Sequence, residues 1–405
     1  MKRRPSEIEA ALTQLDREHL RRERRTIDGF VEPGSRVTTI VDGRQLVDFS
    51  SNDYLGLARH PAVADAMIQC AERCGSGSGA SHLVTGHGAE HTLLEEELAT
   101  FTGRERALLF STGYMANLAV MTTLASRGEA VLLDRLSHAS LIDGGLLSGA
   151  RFKRFAHADA RAAESALAAH AETASIVATD GVFSMDGDVG PLDAFADVSR
   201  SHDAWLVVDD AHGLGVIGAT GRGAVEHFGL DAEAVPVLVG TLGKAFGSFG
   251  AFVAGSSELI ELLMQKARSY IYTTALPQPV AAASRKALEI AQRETWRRER
   301  VLALTSRFRR IAGQMGVPVM GTTPAQHETP PLTPIQPVFF GSSEAALRAQ
   351  QALFAAGFCV IAIRPPTVPQ GSARLRVTLT AAHTEAQVDS LVEALSRVCA
   401  ARDMA

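Results

Sequence analysis

Lys244 is the residue in this sequence best placed for covalent chemistry. It lies in the segment Thr241–Gly247, directly after a predicted buried strand and between small residues. A half-buried lysine has a lowered pKa, which makes its amine nucleophilic toward an aldehyde. Gly243 and Gly247 leave room beside it for a planar ring. An ordinary surface lysine on a loop is the alternative interpretation of this segment.

A carboxylate and a histidine follow another predicted strand, in the segment Val207–Gly213. Asp209 ends that strand, where a carboxylate can pair with a protonated pyridine nitrogen and make the ring an electron sink. His212 can hydrogen-bond to a phenolic oxygen of the same ring. Two other interpretations stay open. One is an Asp-x-x-His metal site, although no third ligand has suitable spacing, and the other is structural capping by Asp209 or Asp210.

Two glycine-containing segments suggest where a phosphate would bind. In Phe110–Asn117 a strand ends, Gly113 allows a tight turn and a helix begins, so free backbone N–H groups can hold an anion. The segment Gly75–Ala80 contains Gly-x-Gly-x-x-Ala, the pattern of a dinucleotide site. It follows a helix-like segment instead of a strand, which argues against a nicotinamide cofactor and favours a substrate-facing loop or a linker.

These segments belong to a region of short apolar runs that alternate with helical stretches. Most of the runs are rich in Val, Leu and Ile without alternation, which indicates strands buried on both faces of a mainly parallel sheet. Ligand sites in such sheets lie beyond the carboxyl ends of the strands. The seven predicted strands are Ala107–Phe110, Ala130–Asp134, Arg151–Phe155, Ser175–Thr179, Trp205–Asp209, Val235–Thr241 and Gly250–Ala254.

Smaller elements are predicted on both sides of this region. Residues 6–25 are expected to form an amphipathic helix, and Asp42-Gly43 is expected to close a hairpin between Val37–Val41 and Gln45–Phe49. The chain then divides into an N-terminal segment 1–55, a large domain 56–285 and a small α+β domain 286–405. The elements expected in the small domain are a helix over Glu294–Ala312, a loop over 322–337, strands at Phe358–Ile363 and Arg374–Leu379, and a final helix with a Thr384/Gln387 capping box.

The composition excludes several classes of protein. The net charge of -5 provides no basic field for nucleic acid or an anionic membrane. The four cysteines form no Cys-x-x-Cys pair, so we predict neither a metal site nor a disulfide framework. The N-terminus lacks the apolar run of a signal peptide, and no apolar stretch is long enough to span a bilayer. We therefore expect a cytoplasmic protein.

The ordered motifs together resemble the α-oxoamine synthases, pyridoxal-phosphate enzymes with the aspartate-aminotransferase-like fold (fold type I). The resemblance extends from Ser50–Gly56 to Thr380–His383. Enzymes of this family condense an amino acid with an acyl thioester and release carbon dioxide. The segments Leu136–Leu141, Gly181–Asp188 and Ala362–Pro369 are most similar to the members that join L-alanine to a pimeloyl thioester.

The resemblance implies a role for each matching residue around pyridoxal 5'-phosphate. Lys244 would bind the cofactor covalently, Asp209 would pair with its pyridine nitrogen, and His138 would stack on the ring face. The phenolic oxygen would be bound by His212 and Ser184. The residues expected to hold the phosphate are Gly113 and Tyr114 through their backbone, Thr241 through its hydroxyl and, from the neighbouring subunit, Thr274, which implies a homodimer.

The resemblance also implies substrate contacts. Asn52 and Arg376 would engage the amino acid, with Arg376 as the bidentate partner of its carboxylate. Arg21 and Thr367 match positions that contact the acyl substrate, although the arginine-rich segment also aligns with Arg22 in place of Arg21. Either coenzyme A or an acyl carrier protein would deliver the thioester.

Three rival functions are weighed against this one. A sibling synthase would use glycine or serine with another acyl thioester. A non-catalytic partner subunit is a second rival, but the presence of Lys244, Asp209 and His212 together argues against it. A nicotinamide-dependent dehydrogenase depends only on the glycines of Gly75–Ala80 and is the weakest rival.

Overall fold

A computed structural model of the chain describes residues 5–31, 37–170, 173, 175–321 and 332–403. The chain divides into two compact units. One comprises Met1–Ser51, Met185–Gly187 and Arg300–Ala405, and the other comprises Asn52–Ser184 and Asp188–Glu299. This division places the N-terminal segment with the C-terminal region, whereas the sequence suggested three successive regions.

The described residues form three sheets, and helices lie between many of the strands along the chain. Their strands are β1 Ile27–Phe30, β2 Thr38–Val41, β3 Arg44–Asp48, β4 Arg106–Phe110, β5 Ala130–Asp134, β6 Arg151–Phe155, β7 Ser175–Asp180, β8 Trp205–Asp209, β9 Val237–Thr241, β10 Ala251–Gly255, β11 Ile335–Gly341, β12 Phe358–Cys359, β13 Ile361–Ile363 and β14 Ala373–Thr378.

The helices include one π-helical turn, His82–Gly86. No helix among the described residues is long and apolar enough to cross a membrane. The α-helices are α1 Pro5–Arg17, α2 Pro61–Cys74, α3 Ala89–Thr102, α4 Gly113–Leu124, α5 Ala139–Leu147, α6 Ala160–Ala168, α7 Leu192–Ser201, α8 Ala224–His227, α9 Ser257–Lys266, α10 Arg268–Ile271, α11 Gln278–Arg293, α12 Trp296–Gln314, α13 Ser343–Ala355 and α14 Glu385–Asp403.

The larger unit contains the seven-stranded sheet, in the order β4-β10-β9-β8-β7-β5-β6. β10 is antiparallel to both of its neighbours, and the remaining pairs are parallel. One apolar cluster includes residues of α4, α5 and α9, and a second includes residues of α6, α7 and α8. The fold prediction of a mainly parallel, helix-covered sheet of seven strands is confirmed.

Two smaller sheets lie in the other unit, with strand orders β1-β2-β3-β12 and β11-β14-β13. The single strand expected over Phe358–Ile363 is wrong, because Val360 separates β12, which pairs with β3, from β13, which pairs with β14. The loop expected over 322–337 lies outside the described residues from 322 to 331. The predicted C-terminal end of this loop, residue 337, is wrong, since β11 already begins at Ile335. Pro337 is tolerated within β11 because β11 is an edge strand.

The N-terminal elements show one confirmed prediction and one error. The hairpin β2–β3 turns at Asp42 and Gly43, both with positive φ (51° and 71°), as its sequence predicted. The helix expected over residues 6–25 ends instead at Arg17. His19 has a φ of 56°, a left-handed conformation that stops a helix, and Leu20 N–H closes back on the Leu15 carbonyl.

Candidate active site

Lys244 lies in a tight loop that joins β9 to β10. The loop is closed by Leu242 N–H, which donates to the Gly250 carbonyl at 2.8 Å, and by Ser248 N–H, which donates to the Leu242 carbonyl at 2.9 Å. Gly247 has a φ of 61°, and a Cβ there would lie 2.2 Å from the Ala58 nitrogen. Gly247 is therefore required by the turn. The loop holds the half-buried Lys244 side chain in a defined position.

The Lys244 amine begins a chain of hydrogen bonds. Its Nζ lies 2.8 Å from His212 Nε2, and His212 Nδ1 lies 2.7 Å from the Tyr54 hydroxyl. Tyr54 in turn donates to Asn52 Oδ1 at 3.2 Å. An ammonium that donates to His212 Nε2 leaves the proton on Nδ1, which then points toward Tyr54. The hydrogen bonds thus connect three predicted site residues, Lys244, His212 and Asn52. Tyr54, which links His212 to Asn52, was not predicted from the sequence.

Asp209 and Asp210 are neighbours with different surroundings. Asp209 Oδ2 accepts from Asn117 Nδ2 at 2.6 Å, and its Oδ1 accepts from the Ala211 N–H at 3.1 Å. Asp210 is fully buried and accepts from the Ala224 N–H at 2.7 Å. Three glycines enclose its carboxyl group, because a Cβ at Gly181, Gly213 or Gly223 would come within 2.4 Å of an Asp210 oxygen. Asp210 is therefore the structural carboxylate, as the capping interpretation proposed for one of the pair.

Buried carboxyl groups surround Asp209. Burial and, secondarily, repulsion by Asp209 raise the pKa of Asp180 well above its usual value. Burial also raises the pKa of Asp210 to about 8, although the Ala224 N–H opposes that shift. Both neighbours are thereby shifted toward their neutral forms at neutral pH. Asp209 is the carboxylate of this group that is expected to pair with a pyridinium.

His138 caps the N-terminus of α5, where its Nδ1 accepts from the Ser140 N–H at 3.3 Å. The backbone N–H of His138 donates to Asp180 at 3.0 Å. Its ring keeps an exposed face, yet the surrounding atoms lower its pKa by desolvation, against an opposing effect of Asp209. An exposed, neutral aromatic ring of this kind can stack on a planar cofactor.

The start of α4 has the local geometry of the predicted anion site. Thr112 caps the helix by accepting from the Met115 N–H at 3.2 Å. In the part of the chain that the structure describes, the N–H groups of Gly113 and Tyr114 have no acceptor. Thr241 lies at the end of β9, where its hydroxyl donates to the Gly250 carbonyl at 3.0 Å. That hydroxyl would exchange this bond for one to a phosphate oxygen on binding an anion.

Ser184 and Thr274 belong to the same unit as Lys244. Ser184 is half-buried in the turn that follows β7. Thr274 is exposed in the segment between α10 and α11, close to the point where Ala275 N–H donates to the Ala80 carbonyl at 2.9 Å. The role of Thr274 toward a neighbouring subunit stays a prediction.

The remaining predicted substrate residues lie in the other unit. Arg376 is buried in the middle of β14, opposite Pro337 and Ile361. Arg22 donates to the Thr367 hydroxyl at 3.2 Å, whereas Arg21 forms a 2.8 Å salt bridge with Asp16. The structure thus pairs Thr367 with Arg22, the alternative alignment. A cavity of about 490 Å³ lies here, and its lining includes Arg21, Arg22, Arg25, Arg364 and Thr367.

A cluster of three histidines was also missed from the sequence. His82 Nδ1 and His87 Nδ1 are 2.8 Å apart, and the ligand atoms of His82, His87 and His91 lie within 4.8 Å of one another. Both nitrogens of His91 are occupied, because Nδ1 accepts from the Gly88 N–H and Nε2 contacts the Leu276 carbonyl at 2.6 Å. Hydrogen bonding accounts for this arrangement without an ion.

Known proteins resemble this chain in sequence over most of its length. Residues 44–395 match the model of the class I and II aminotransferase family. The 8-amino-7-oxononanoate synthase of Methylococcus capsulatus is 58% identical over 91% of this chain and 92% of its own. The chain belongs to the 8-amino-7-oxononanoate synthase family.

Solved structures agree with this assignment. The 8-amino-7-oxononanoate synthase of Francisella tularensis has a TM-score of 0.75 at 30% identity, over 88% of this chain and 98% of its own. A serine palmitoyltransferase from S. paucimobilis, solved with pyridoxal phosphate and myriocin bound, has a TM-score of 0.91 at 30% identity, over 98% of each chain. The 8-amino-7-oxononanoate synthase family therefore shares its fold with a serine palmitoyltransferase.

The residues of this member of the 8-amino-7-oxononanoate synthase family fit pyridoxal phosphate. An amine, a buried carboxylate and an exposed imidazole are supplied by Lys244, Asp209 and His138. A Cβ added at Gly113 would meet no atom within 4 Å, so the start of α4 is open to a phosphate. These groups are the ones that a phosphorylated pyridine aldehyde requires.

Proposed function

We propose that this protein condenses L-alanine with a pimeloyl thioester to form 8-amino-7-oxononanoate, with pyridoxal phosphate as its cofactor. The observation that carries the proposal is the 2.8 Å contact of Lys244 with His212, beside Asp209, in a chain 58% identical to a named synthase of this product. Such a transferase contributes a step to the synthesis of biotin.

Each residue of the site has a defined task in this reaction. Bound pyridoxal phosphate would supply an electron sink for the α-carbon of the amino acid. Asp209 would pair with the protonated ring nitrogen, and His138 would cover one ring face against water. Ser184 and His212 would bind the phenolic oxygen. Lys244 would hold the cofactor, and its amine would remove the α-proton of the bound alanine.

The bond changes of the condensation balance without a further reactant. A carbon–carbon bond forms between the alanine α-carbon and the thioester carbonyl, while the carbon–sulfur bond breaks and the thiol departs. The alanine carboxylate then leaves as carbon dioxide, and a proton takes its place. Arg376 would bind that carboxylate before it leaves, and Asn52 would help to position the amino acid.

The acyl substrate is expected to use the cavity beside Thr367. The arginines there offer several fixed positive charges, which suits the phosphates of coenzyme A or of an acyl carrier protein. The Arg22–Thr367 contact supports Arg22 as the contacting residue, and Arg21 remains a second candidate in the same cavity.

We further infer a homodimer in the cytoplasm. Tyr272, directly after α10, is 72% exposed, and Val84 on the π-helical turn is 73% exposed. Because α10 contacts that turn, the two side chains leave apolar surface in one region. A second copy that covered this surface would bring a partner close to Thr274, which the family places at the neighbouring phosphate. The four cysteines are free thiols, which suits a reducing compartment.

A direct test is thiol release from pimeloyl-coenzyme A by the protein loaded with pyridoxal phosphate. L-alanine, glycine and L-serine are supplied in turn, and carbon dioxide is measured alongside the thiol. Release with L-alanine alone is expected. Release with L-serine would instead follow the likeness to serine palmitoyltransferase and would overturn the substrate assignment, as would release with glycine alone.

A further inference from the structure

A continuous hydrogen-bond chain runs from Asp209 to His138. Asn117 Nδ2 donates to Asp209 Oδ2 at 2.6 Å and to Ser140 Oγ at 2.8 Å. Ser140 Oγ lies 2.6 Å from His138 Nδ1. Asn117 and Ser140 are 1% and 0% exposed, so water does not compete for these bonds. Neither residue is predicted as a site residue from the sequence.

Chemistry fixes the directions of the Asn117 bonds, and these leave the Ser140 hydroxyl able to donate to His138. A carboxylate only accepts hydrogen bonds, so Asn117 must turn its NH2 group toward Asp209. The second proton of that NH2 group then points at Ser140 Oγ. Because Ser140 Oγ accepts from Asn117, its single proton is free to be donated to His138 Nδ1.

The backbone adds a second donor to the same nitrogen, since the Ser140 N–H also points at His138 Nδ1 from 3.3 Å. A nitrogen that faces two donors carries a lone pair and no proton. We propose that Asn117 and Ser140 are positioning residues that hold His138 as the neutral tautomer protonated on Nε2. The catalytic consequence drawn next depends on the proposed function, whereas the tautomer itself does not.

A neutral His138 adds no positive charge that would compete for Asp209. The charged groups that act on its ring are Asp209 and Asp143, which favour a cation, and Lys244, which opposes one; Asp180 accepts from its backbone N–H. A cationic His138 would compete for Asp209 with the protonated pyridine nitrogen. In the Nε2–H tautomer the residue instead covers the cofactor face as an uncharged ring and offers one hydrogen-bond donor.

The test is nitrogen NMR of the cofactor-free protein labelled with ¹⁵N-histidine, because ¹⁵N shifts distinguish the two tautomers and the cation. The His138 signals are assigned by their loss in His138→Gln. The wild-type protein is expected to show Nε2–H at neutral pH. An Nδ1–H tautomer or a cation at neutral pH would overturn the proposal, and this measurement requires no altered relay residue.

Ser140 variants then test the relay itself. Ser140→Ala should raise the midpoint of the His138 titration by about one pH unit, the equivalent of one lost hydrogen bond. Ser140→Thr keeps the hydroxyl and should titrate as the wild type does. Equal midpoints in the wild type and in Ser140→Ala would show that the hydroxyl does not hold the tautomer.

Turnover provides a separate result for the reaction. With the cofactor and substrates present, the acid limb of the kcat profile for Ser140→Ala should move to higher pH by the same amount as the NMR midpoint. An unmoved limb would overturn the catalytic consequence. If the wild type released no thiol with any amino acid, the proposed function would fail while the NMR result still decided the tautomer.

Discussion

Among the individual residues, two adjacent carboxylates at the end of β8 have different roles, one in the predicted site and one in the structure. Asp209 ends β8 and reaches Asn117, while Asp210, the next residue, is enclosed by glycines and bonded to Ala224. The sequence placed a carboxylate at this strand end but left open which of the two was structural. The difference arises from the alternation of side chains at a strand end, which directs consecutive residues to opposite sides.

A pair of substitutions separates these roles. Asp209→Asn should leave the free energy of unfolding within about 1 kcal/mol of the wild type. The amide keeps an oxygen for the Ala211 N–H, and its NH2 group can donate to Asn117 Oδ1, which has no partner among the described residues, once the Asn117 amide turns. The substitution should slow exchange of the alanine α-proton with solvent deuterium by about a hundredfold or more, as removal of one preorganised electrostatic partner does.

Asp210→Ala is the matched comparison. It leaves the buried Ala224 N–H without an acceptor and should lower the free energy of unfolding by about 1–3 kcal/mol in urea titrations. Wild-type stability in Asp210→Ala, or rapid proton exchange in Asp209→Asn, would show that the roles are assigned the wrong way round.

The residues that the sequence could identify were those next to strand ends. Lys244, Asp209 and His212 follow buried apolar runs, so their positions could be predicted from local pattern alone. Tyr54, Asn117 and Ser140 could not, because their importance depends on partners 23 to 158 residues away in the chain. Their hydrogen bonds in the folded unit are needed to identify them.

At the element scale, strands were easier to predict than the end of α1. Strands such as β5 and β7 are buried on both faces, and continuous apolar runs mark them clearly. The helix α1 has its apolar side chains Ile8, Leu12 and Leu15 exposed, so packing in this chain does not extend it through the arginines. The left-handed His19 ends it early.

The capping box of α14 was predicted and is present. Thr384 N–H donates to Gln387 Oε1 at 2.8 Å, and Gln387 N–H donates to Thr384 Oγ1 at 3.2 Å. Thr384→Ala should lower the free energy of unfolding by about 1 kcal/mol without changing kcat. Glu393→Ala, at an exposed position of the same helix, should change it by less than about 0.5 kcal/mol. Equal effects of the two substitutions would rule out a stabilising cap.

A histidine clamp joins the end of β5 to the loop before α7. His157 contacts Asp134 at 3.0 Å and Asp188 at 2.7 Å. Burial lowers its pKa, but the hydrogen bonds to both carboxylates outweigh that effect and raise the pKa to about 10. Because the folded pKa exceeds the unfolded value of about 6.5, the stabilisation is complete below about pH 6.5 and is lost as the pH rises through about 10.

His157→Gln should therefore lower the free energy of unfolding by about 2 kcal/mol near pH 6 and by much less above about pH 10. Urea titrations of both proteins across this range provide the measurement. His227→Gln, at an exposed position of α8, is the control and should show no such trend. A deficit in His157→Gln that stays constant with pH would mean that the clamp is uncharged.

At the scale of the whole molecule, the sequence predicted the large sheet but not the composition of the units. The N-terminal hairpin joins the C-terminal unit because β3 pairs with β12, more than three hundred residues later. Local patterns do not encode such pairings. The residues predicted to hold the cofactor belong to the larger unit, while Arg376 and Thr367 belong to the other unit.

The inferred homodimer makes a prediction at this scale. Wild-type protein should sediment as a dimer, and Tyr272→Asp should shift it toward the monomer, because an acid would enter the covered apolar surface. Met315→Asp, which changes another exposed apolar side chain, is the control and should leave the dimer intact. A dimer unaffected by Tyr272→Asp would place the interface elsewhere.

Isotope tracing decides whether the protein makes 8-amino-7-oxononanoate from L-alanine and whether Lys244 is required. Wild-type protein and Lys244→Ala are supplied with pyridoxal phosphate, pimeloyl-coenzyme A and L-alanine labelled with ¹³C in its carboxyl group. The wild type should release labelled carbon dioxide and form unlabelled product, and Lys244→Ala should do neither. Product that retained the label would show that the alanine carboxylate is not lost. Turnover by Lys244→Ala close to that of the wild type would show that Lys244 is not required.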